Sequence, residues 1–205
     1  RDAGWPLPPA TVAPLASSLP TVAAGPRPLP GPYFVVIGTI ELRKNIPMLL
    51  EVWRNLVGRL GDRAPRLLII GQRGYGHDGV VGLLASQDLR GSVMEQGAFT
   101  DGEIVTWLTH AQALLFPSFE EGYGLPLAEA LALGVPAIAA DLPVFREIAG
   151  GLPDYAGAWE TRRWLELIDD YARPDSGLRP AQLRRLAGFQ PTTWQRHFQQ
   201  VDTFL

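Results

Sequence analysis

The feature that most constrains the fold is a set of short apolar runs, each followed by a segment of helical character. The runs are YFVVIG (33–38), RLLIIG (66–71), QALLFP (112–117) and, more weakly, PAIAA (136–140). They are almost continuously hydrophobic, as strands must be in a parallel sheet that is covered on both faces. A sheet with one face in water would alternate polar and apolar positions instead. The pattern therefore predicts a buried parallel sheet.

The segments between the runs carry the spacing and the start signals of helices. NIPMLLEVWRNLVGRL places its large apolar residues at helical spacing, with Asn45 as the expected N-cap and a proline in the first turn. TDGEIVTWLTHA opens with Thr100 and Glu103 in the positions of a capping box. Alternating strands and helices predict an α/β fold with a doubly wound, Rossmann-like parallel sheet and right-handed crossovers.

The chain divides into two parts by composition. Residues 1–32 hold nine of the 19 prolines, which supply no backbone donor, so we predict a linker or extended arm there. Residues 33–205 are predicted to form one domain, whose C-terminal helices lie on the surface from about Glu160. The last segment places four apolar residues on one stripe: Trp194, Phe198, Val201 and Leu205. We favour packing on this domain's own flank over contact with a missing partner domain.

Composition excludes several classes of function. The net charge of −3 gives no support for nucleic-acid binding, which needs a basic face. Without cysteine the chain has no disulfide, thiolate metal site or catalytic thiol. The apolar runs are far shorter than the roughly 20 residues that span a bilayer. The basic residues are unevenly divided between the two types: 17 are arginine and only one, Lys44, is lysine.

Four loops are expected along the ligand-binding edge of the sheet, because ligands of such sheets bind beyond the carboxyl ends of the strands. These loops are 38–44, 71–76, 97–99 and 117–124. The first contains Arg43 and Lys44, which could neutralise a diphosphate as a bidentate fork and a point charge. A solvated loop is the alternative for this pair, and its position on the edge favours binding.

The stretch FEEGYGLPLAEA places two of its three carboxylates, Glu121 and Glu129, around a glycine-rich turn. Glu121 lies in the turn, made pliable by Gly122 and Gly124, and a helix begins near the following proline. The amides of Gly124 and Leu125 would then face the crevice at the positive end of the helix dipole. Such a helix start attracts phosphate or another anionic oxygen.

Glu129 follows on the same apolar helix, where we expect its carboxylate to be buried and to need hydrogen-bond donors. The vicinal hydroxyls of a ribose could supply them, and Glu121 could accept hydroxyls of a second sugar. A cap or a solvated charge is the alternative for either glutamate alone, and we favour it for Glu120. No aspartate pair with metal-ligand spacing adjoins these residues, so we expect no metal, and His77 is assigned no role.

These residues carry a resemblance to a known family. FPSFEEGYGLPLAEALALGVPAIAADLPVFREI resembles, almost position for position, the glutamate-x7-glutamate region of family 4 glycosyltransferases, which are retaining enzymes of GT-B fold. GTIELRKN resembles the GTxEPRKN variant of their donor-phosphate loop. LLIIGQRGYG and QGAFTDGEIVTWLTHAQALLFPS are similar to the intervening elements, and VAPLASSLP to the linker before the C-terminal domain. The resemblance covers about residues 33–150.

The resemblance implies a site for a nucleoside diphosphate sugar. It implies that Arg43 and Lys44 bind the diphosphate, that Glu121 binds the sugar hydroxyls and that Glu129 binds the ribose. It also implies that Arg43, Lys44 and Glu121 have catalytic roles. The base would rest against the loop from Gly97 to Phe99. The implied binding positions are Arg43, Lys44, Gly97, Phe99, Glu121, Gly122, Tyr123, Gly124, Leu125 and Glu129.

Two departures from the family pattern affect this assignment. Many members have an arginine where this chain has Thr39, which leaves Arg43 as the second cation. The usual proline before the Arg-Lys pair is Leu42 here, which is expected to loosen the loop.

The resemblance also implies a larger enzyme. GT-B enzymes bind the acceptor in an N-terminal domain, for which this chain has no room, and the chain begins with Arg1 rather than methionine. We therefore expect the donor-binding half of a glycosyltransferase, inactive without its acceptor domain. GDP-mannose is the preferred donor and a glycan or glycolipid of surface-polysaccharide assembly the expected acceptor. We expect a cytoplasmic location, with peripheral binding to the inner membrane face open for the intact enzyme.

Other functions stay open at the level of sequence. A non-catalytic module that binds nucleotide sugars would use the same residues, and so would another GT-B activity such as a sugar-nucleotide epimerase. A Rossmann dehydrogenase is disfavoured, because no G-x-G-x-x-G follows the first strand.

Overall fold

The structure is a computed structural model that describes residues 9–17, 19, 22–74, 80, 82–83 and 89–205. The loop predicted at 71–76 is therefore described only as far as Gly74. His77 lies outside the described residues.

Within this part of the chain, parallel strands form one six-stranded sheet. The strands are β1 (Tyr33–Ile37), β2 (Arg66–Ile70), β3 (Val93–Gln96), β4 (Leu114–Phe116), β5 (Ala137–Ala140) and β6 (Asp154–Ala156). They are ordered β3-β2-β1-β4-β5-β6, and every neighbouring pair is parallel. The order reverses between β1 and β4, as it does at the switch point of a doubly wound sheet. The predicted fold class is confirmed.

Strands β3 and β6 are not predicted by the apolar pattern, because they form the two edges of the sheet. An edge strand has one neighbour and less cover, so it does not need a continuous apolar sequence. β3 is half-buried and ends in Glu95 and Gln96, and β6 has only three residues and begins with Asp154. The strands between them, by contrast, are buried along almost their whole length.

Helices alternate with the strands along the chain. Their bounds are α1 (Ile46–Leu60), α2 (Asp101–Thr109), α3 (Leu125–Ala132), α4 (Pro143–Ala149), α5 (Thr161–Ala172), α6 (Leu178–Leu186) and α7 (Trp194–Phe204). Helices α1 and α5 pack against each other, as do α3 and α4. None of the described helices combines the length and the hydropathy needed to cross a membrane.

The predicted starts of α1 and α2 have different outcomes. The capping box of α2 is confirmed, since Thr100 accepts from the Glu103 amide and Glu103 accepts from the Thr100 amide. Asn45 is the N-cap residue of α1 as predicted, but its side chain makes no capping hydrogen bond. Asn45 precedes the helix with a left-handed backbone, and its Nδ2 donates to the carbonyl oxygens of Pro117 and Ala158 at 3.2 and 2.8 Å. It therefore fastens the chain after β1 to the loops after β4 and β6.

Helix α5, predicted to lie on the surface, exposes Arg162, Arg163 and Glu166 and has a second face that is buried. One face of this helix is fully buried in the core, through Trp164, Leu167, Ile168 and Tyr171. Charged residues occupy positions between these four in the 12-residue helix. The sequence pattern of α5 is therefore that of an amphipathic helix packed on the sheet. Helix α6 follows it and inserts the fully buried Gln182, whose Nε2 donates to the carbonyl oxygen of Ala137, the first residue of β5, at 2.8 Å.

The apolar stripe of α7 does not pack on the domain's flank as favoured from the sequence. Trp194, Phe198 and Leu205 are exposed, and Val201 is half-buried. The helix instead contacts the proline-rich arm, where His197 Nδ1 lies 3.0 Å from the Pro14 carbonyl oxygen.

The described residues of the arm contain no helix or strand, and the arm lies against the domain. Ala16 is buried, and Leu19 and Leu29 pack on the core. The Gly25 amide donates to Thr106 Oγ1 of α2 at 3.0 Å. The segment predicted as a linker is thus held to the domain at several points.

The carboxyl edge of the sheet contains a close backbone approach between the loops after β1 and β2. A Cβ atom on Gly71 would lie 2.0 Å from the Gly38 carbonyl oxygen, which no side chain can tolerate. The Gly71 amide donates to the Gln96 carbonyl at 2.9 Å, which fixes this loop to β3 as well. Glycine at position 71 is therefore required by packing.

We predict that Gly71→Ala lowers the free energy of unfolding by about 1–3 kcal/mol, because the added methyl group must displace backbone. Urea denaturation measures the change. Gly58→Ala is the matched control, since Gly58 lies in α1 with open space around it and should gain about 0.5–1 kcal/mol from reduced unfolded-state entropy. Equal effects of the two substitutions would contradict the prediction.

Candidate functional site

The candidate site lies where the sheet order reverses, at the carboxyl ends of β1 and β4. Residues Leu42–Lys44 form a short 3-10 helix after β1, and Glu121 lies in the turn after β4. The Phe119 amide donates to the Arg43 carbonyl at 2.9 Å and joins the two loops. Lys44 and Glu121, which are 77 positions apart in sequence, are brought together in this way.

The centre of the site is a cluster of two cations and two carboxylates. Lys44 Nζ lies 2.7 Å from Glu121 Oε1, and Arg43 NH1 lies 3.2 Å from Glu121 Oε2. Arg43 also reaches Glu41 Oε1 at 2.7 Å and the Glu120 carbonyl oxygen at 2.6 Å. The side chains of Lys44 and Glu121 are only 10% and 9% exposed, whereas that of Arg43 is 42% exposed.

The environment of Glu121 favours its ionised form. Burial opposes ionisation, but the hydrogen bond from Lys44 and the charges of Lys44 and Arg43 outweigh it, so the pKa of Glu121 lies below its ordinary value of 4.5. Burial likewise opposes the charge of Arg43, and its bonds to Glu121 and Glu41 still raise the pKa of Arg43. Glu121 and Arg43 therefore stay charged at neutral pH.

The Lys44 side chain is held by packing as well as by charge. Its Nζ lies 5.1 Å from the centroid of the Phe116 ring, within the range of a cation–π contact. Its Cε lies 3.0 Å from where a Cβ on Gly38 would stand, so the chain passes directly over that glycine. These contacts fix the ammonium at the mouth of the switch point.

Helix α3 begins beside the cluster, as the sequence predicts. Gly124 has φ 105°, a backbone that favours glycine, and a Cβ there would lie 2.8 Å from Phe145. Leu125 is the first helical residue and Pro126 the second. Because amides of a first helical turn have no acceptor within their own helix, the Gly124 and Leu125 amides form a suitable place for an anion.

The other predicted positions are more dispersed. Glu129 lies on α3 and is half-buried rather than fully buried as expected. Gly97 is exposed and Phe99 stacks on Trp107, with ring centroids 5.8 Å apart. Their loop follows β3, two strands from β1 and thus about 10 Å across the sheet edge.

Two positions of the turn face different surroundings. Gly122 is exposed. The Tyr123 hydroxyl donates to the Leu15 carbonyl oxygen of the arm at 2.8 Å. The turn that carries Glu121 is therefore tied to the N-terminal arm, a contact that the sequence pattern does not reveal.

Several residues that shape the site are not identified by the sequence pattern. Ser118 and Phe116 contribute to the environment of Glu121 and Lys44 respectively, and Gly38 leaves room for Lys44. Their positions at the carboxyl ends of β1 and β4 were the available signal, since Phe116 is the last residue of β4 and Gly38 and Ser118 lie just after the two strands. Leu42, expected to loosen the loop, begins a turn closed by the bond from the Asn45 amide to its carbonyl at 2.9 Å.

Solved structures with the same arrangement define the class of fold. TarM superposes with a TM-score of 0.69 over 92% of this chain and 38% of its own, at 18% sequence identity. OtsA superposes with a TM-score of 0.64 over 76% of this chain and 39% of its own, at 8% identity. The chain has an α/β fold of GT-B type.

The family follows from sequence comparison. The profile described as "Glycosyl transferases group 1" matches residues 22–158, which include the whole sheet and the charged cluster. The chain belongs to this glycosyltransferase family.

Bacterial mannosyltransferases are among its relatives. "O-antigen chain mannosyltransferase B" of Escherichia coli is 33% identical over 118 residues, 58% of this chain and 31% of the relative. "Serotype-specific mannosyltransferase WbdA" of Escherichia coli is 33% identical over 168 residues, 77% of this chain and 19% of the relative. "O-antigen chain mannosyltransferase RfbU" of Salmonella typhimurium is 26% identical over 148 residues, 70% of this chain and 40% of the relative. The aligned part of this chain spans between a fifth and two fifths of the length of these proteins.

We predict that Glu121→Gln destabilises the chain by about 1–3 kcal/mol at neutral pH, because Lys44 loses a charged hydrogen bond in a nearly buried place. Since the folded-state pKa is lowered, this stabilisation is complete above the ordinary value of 4.5 and is lost as the pH falls through the folded value. The difference in Tm between the two proteins should therefore shrink below about pH 4.5.

Thermal unfolding followed by circular dichroism across pH measures this difference. Glu120→Gln is the control, because its side chain is exposed and it should change the Tm little at any pH. A constant Tm difference for Glu121→Gln down to the acid limit of folding would show that the effect does not come from the carboxylate charge.

Proposed function

We propose that this chain is the donor-binding half of a retaining glycosyltransferase, which transfers a sugar from a nucleoside diphosphate sugar to a glycan or glycolipid. The observation that carries the proposal is the contact between Lys44 and Glu121 at the switch point, beside the start of α3. Two cations, a carboxylate and helix amides without an acceptor in their own helix therefore lie at one point of the sheet edge. Family membership supports glycosyl transfer as the reaction.

Arg43 and Lys44 bind the diphosphate in this proposal, with the amides of Gly124 and Leu125. Arg43 is well suited because it is half-exposed and has five N–H donors, so it can reach phosphate oxygens while it still contacts Glu121. Negative charge grows on the phosphate oxygens as the glycosidic bond to the diphosphate breaks. Cations already fixed in place stabilise that charge without reorganising, which lowers the barrier.

Glu121 has two functions in the proposed site. In the structure its carboxylate orients Lys44. Phosphate oxygens compete with Glu121 for the same ammonium and guanidinium, and the carboxylate released from part of this pairing accepts hydroxyls of the donor sugar. The neighbouring Gly122 and Tyr123 complete the turn around that sugar.

The nucleoside part extends along the sheet edge. Glu129, half-buried on α3, accepts the ribose hydroxyls, and the base rests against the loop from Gly97 to Phe99. Stacking on Trp107 holds the ring of Phe99 in place for this contact with the base.

The names of the relatives favour mannose as the sugar, and we propose GDP-mannose as the donor and a bacterial surface polysaccharide as the acceptor. An N-terminal domain outside this chain binds the acceptor, so the chain is inactive alone. The proposal needs no metal, because the leaving diphosphate is stabilised by Arg43, Lys44 and the helix start. Among the described residues, no three His, Cys, Asp or Glu side chains are grouped to hold a metal ion.

Calorimetric titration of the chain with GDP, UDP, ADP and their sugar conjugates tests the proposal. One diphosphate should bind, with GDP and GDP-mannose preferred. Lys44→Ala and Glu129→Ala should each weaken binding about tenfold or more, since hydrogen bonds to charged groups contribute ~1.5–3 kcal/mol.

Arg59→Ala is the matched control, because Arg59 is an exposed cation on α1 that pairs with Asp169 away from the site. It should leave nucleotide affinity unchanged. A folded chain that binds none of these nucleotides, or binds them equally well after both substitutions, would overturn the assignment of the donor site.

A further inference from the structure

A tryptophan beside the charged cluster is left open to solvent. Trp159 lies in the short loop between β6 and α5 and is 82% exposed, which is unusual for so large an apolar side chain. One face of its indole is covered by Phe119, with ring centroids 4.3 Å apart and planes inclined by 33°. The other face is free to receive a ligand.

The loop that carries Trp159 is fixed on both sides. The Ala158 carbonyl oxygen accepts from Asn45 Nδ2 at 2.8 Å, and the Thr161 amide donates to the Trp159 carbonyl at 3.0 Å. The Gly157 amide donates to Glu160 Oε2 at 2.7 Å. The exposed indole is thus presented on a rigid support.

Trp159 forms one wall of a groove of about 420 Å³, a volume within the range of small-molecule sites. Helix α1 also lines the groove and contributes the apolar Met48 and the exposed Glu51 and Arg54. Within the described part of the chain, neither Glu51 nor Arg54 has an ion-pair partner. The groove therefore offers an aromatic face together with a strong acceptor and a strong donor.

This combination matches the chemistry of a pyranose. The C–H groups on one face of a sugar ring pack well on the electron-rich face of an indole. The hydroxyls around its rim then meet the carboxylate of Glu51 and the guanidinium of Arg54. A protein partner would call for a contiguous apolar surface, whereas this groove is lined by one aromatic side chain and by two side chains of opposite charge.

The groove is joined to the charged cluster through the same loops. Phe119, which supports Trp159, donates its amide to the Arg43 carbonyl and lies two residues before Glu121. Asn45, next to Lys44, bonds both the loop of Trp159 and the end of β4. A sugar on Trp159 would thus lie beside the place where we expect the transferred sugar.

We propose that Trp159, supported by Phe119, is a stacking platform for a pyranose unit of the acceptor glycan, with Glu51 and Arg54 binding its hydroxyls. The inference rests on the proposed function and adds a glycan contact on the donor-binding half of the enzyme.

The test follows the indole N–H resonance of Trp159 by NMR, assigned by its loss in Trp159→Phe, while the chain is titrated with α-linked mannotriose. The resonance should shift and saturate. Affinity should fall about tenfold in Trp159→Ala, as it does for bases stacked on aromatic side chains, and should be largely kept in Trp159→Phe. Trp194→Ala is the control, because Trp194 is 40% exposed but lies on α7, and its removal should not change the affinity.

Titration of the same sample with GDP separates this inference from the proposed function. Nucleotide binding without mannotriose binding, or equal mannotriose affinity in Trp159→Ala, overturns the platform and leaves the donor site in place. Mannotriose binding at Trp159 without nucleotide binding supports the platform and overturns the donor site, and failure of both ligands overturns both.

Two further results would also overturn the platform. A shift of the Trp159 resonance by GDP, with none by mannotriose, would show that the indole stacks on the base. A shift on raising the protein concentration alone would show that a second copy of the chain covers it.

Discussion

The ion pair between Lys44 and Glu121 joins the two halves of the sheet at the point where their order reverses. It brings two charges out of water, which costs free energy that only well-placed partners can offset. Arg43 and the ring of Phe116 provide those partners, and the bond from Phe119 to Arg43 holds the two loops at the necessary distance. The local design of the site, including the room left at Gly38, follows from keeping this pair satisfied.

The fold and the centre of the site could be predicted from sequence because their signals are local. Apolar runs mark the buried strands, and the glycine-rich turn before α3 marks a helix start. Edge strands and the side-chain contacts of Asn45 depend on partners far away in the chain, so no local pattern indicates them. The same limit applies to Tyr123, whose partner Leu15 lies 108 positions earlier.

The proline-rich arm is part of the architecture of the domain. Proline restricts the backbone of the unfolded chain, so an arm of this composition loses less entropy when it settles on a surface. Its contacts reach α2 through Thr106, α7 through His197 and the Glu121 turn through Tyr123. A displacement of the arm would therefore also move the turn that carries Glu121, whose carboxylate orients Lys44.

The chain has a single lysine, so the charged cluster contains the one side-chain amine of the protein. The other cationic side chains, apart from the histidines, are arginines, which acylating reagents do not modify under conditions that acylate lysine. The one ε-amine of the chain is nearly buried and bound to Glu121, so it reacts only when that contact opens. The rate of side-chain acylation of the whole protein thus reports the opening of one hydrogen bond.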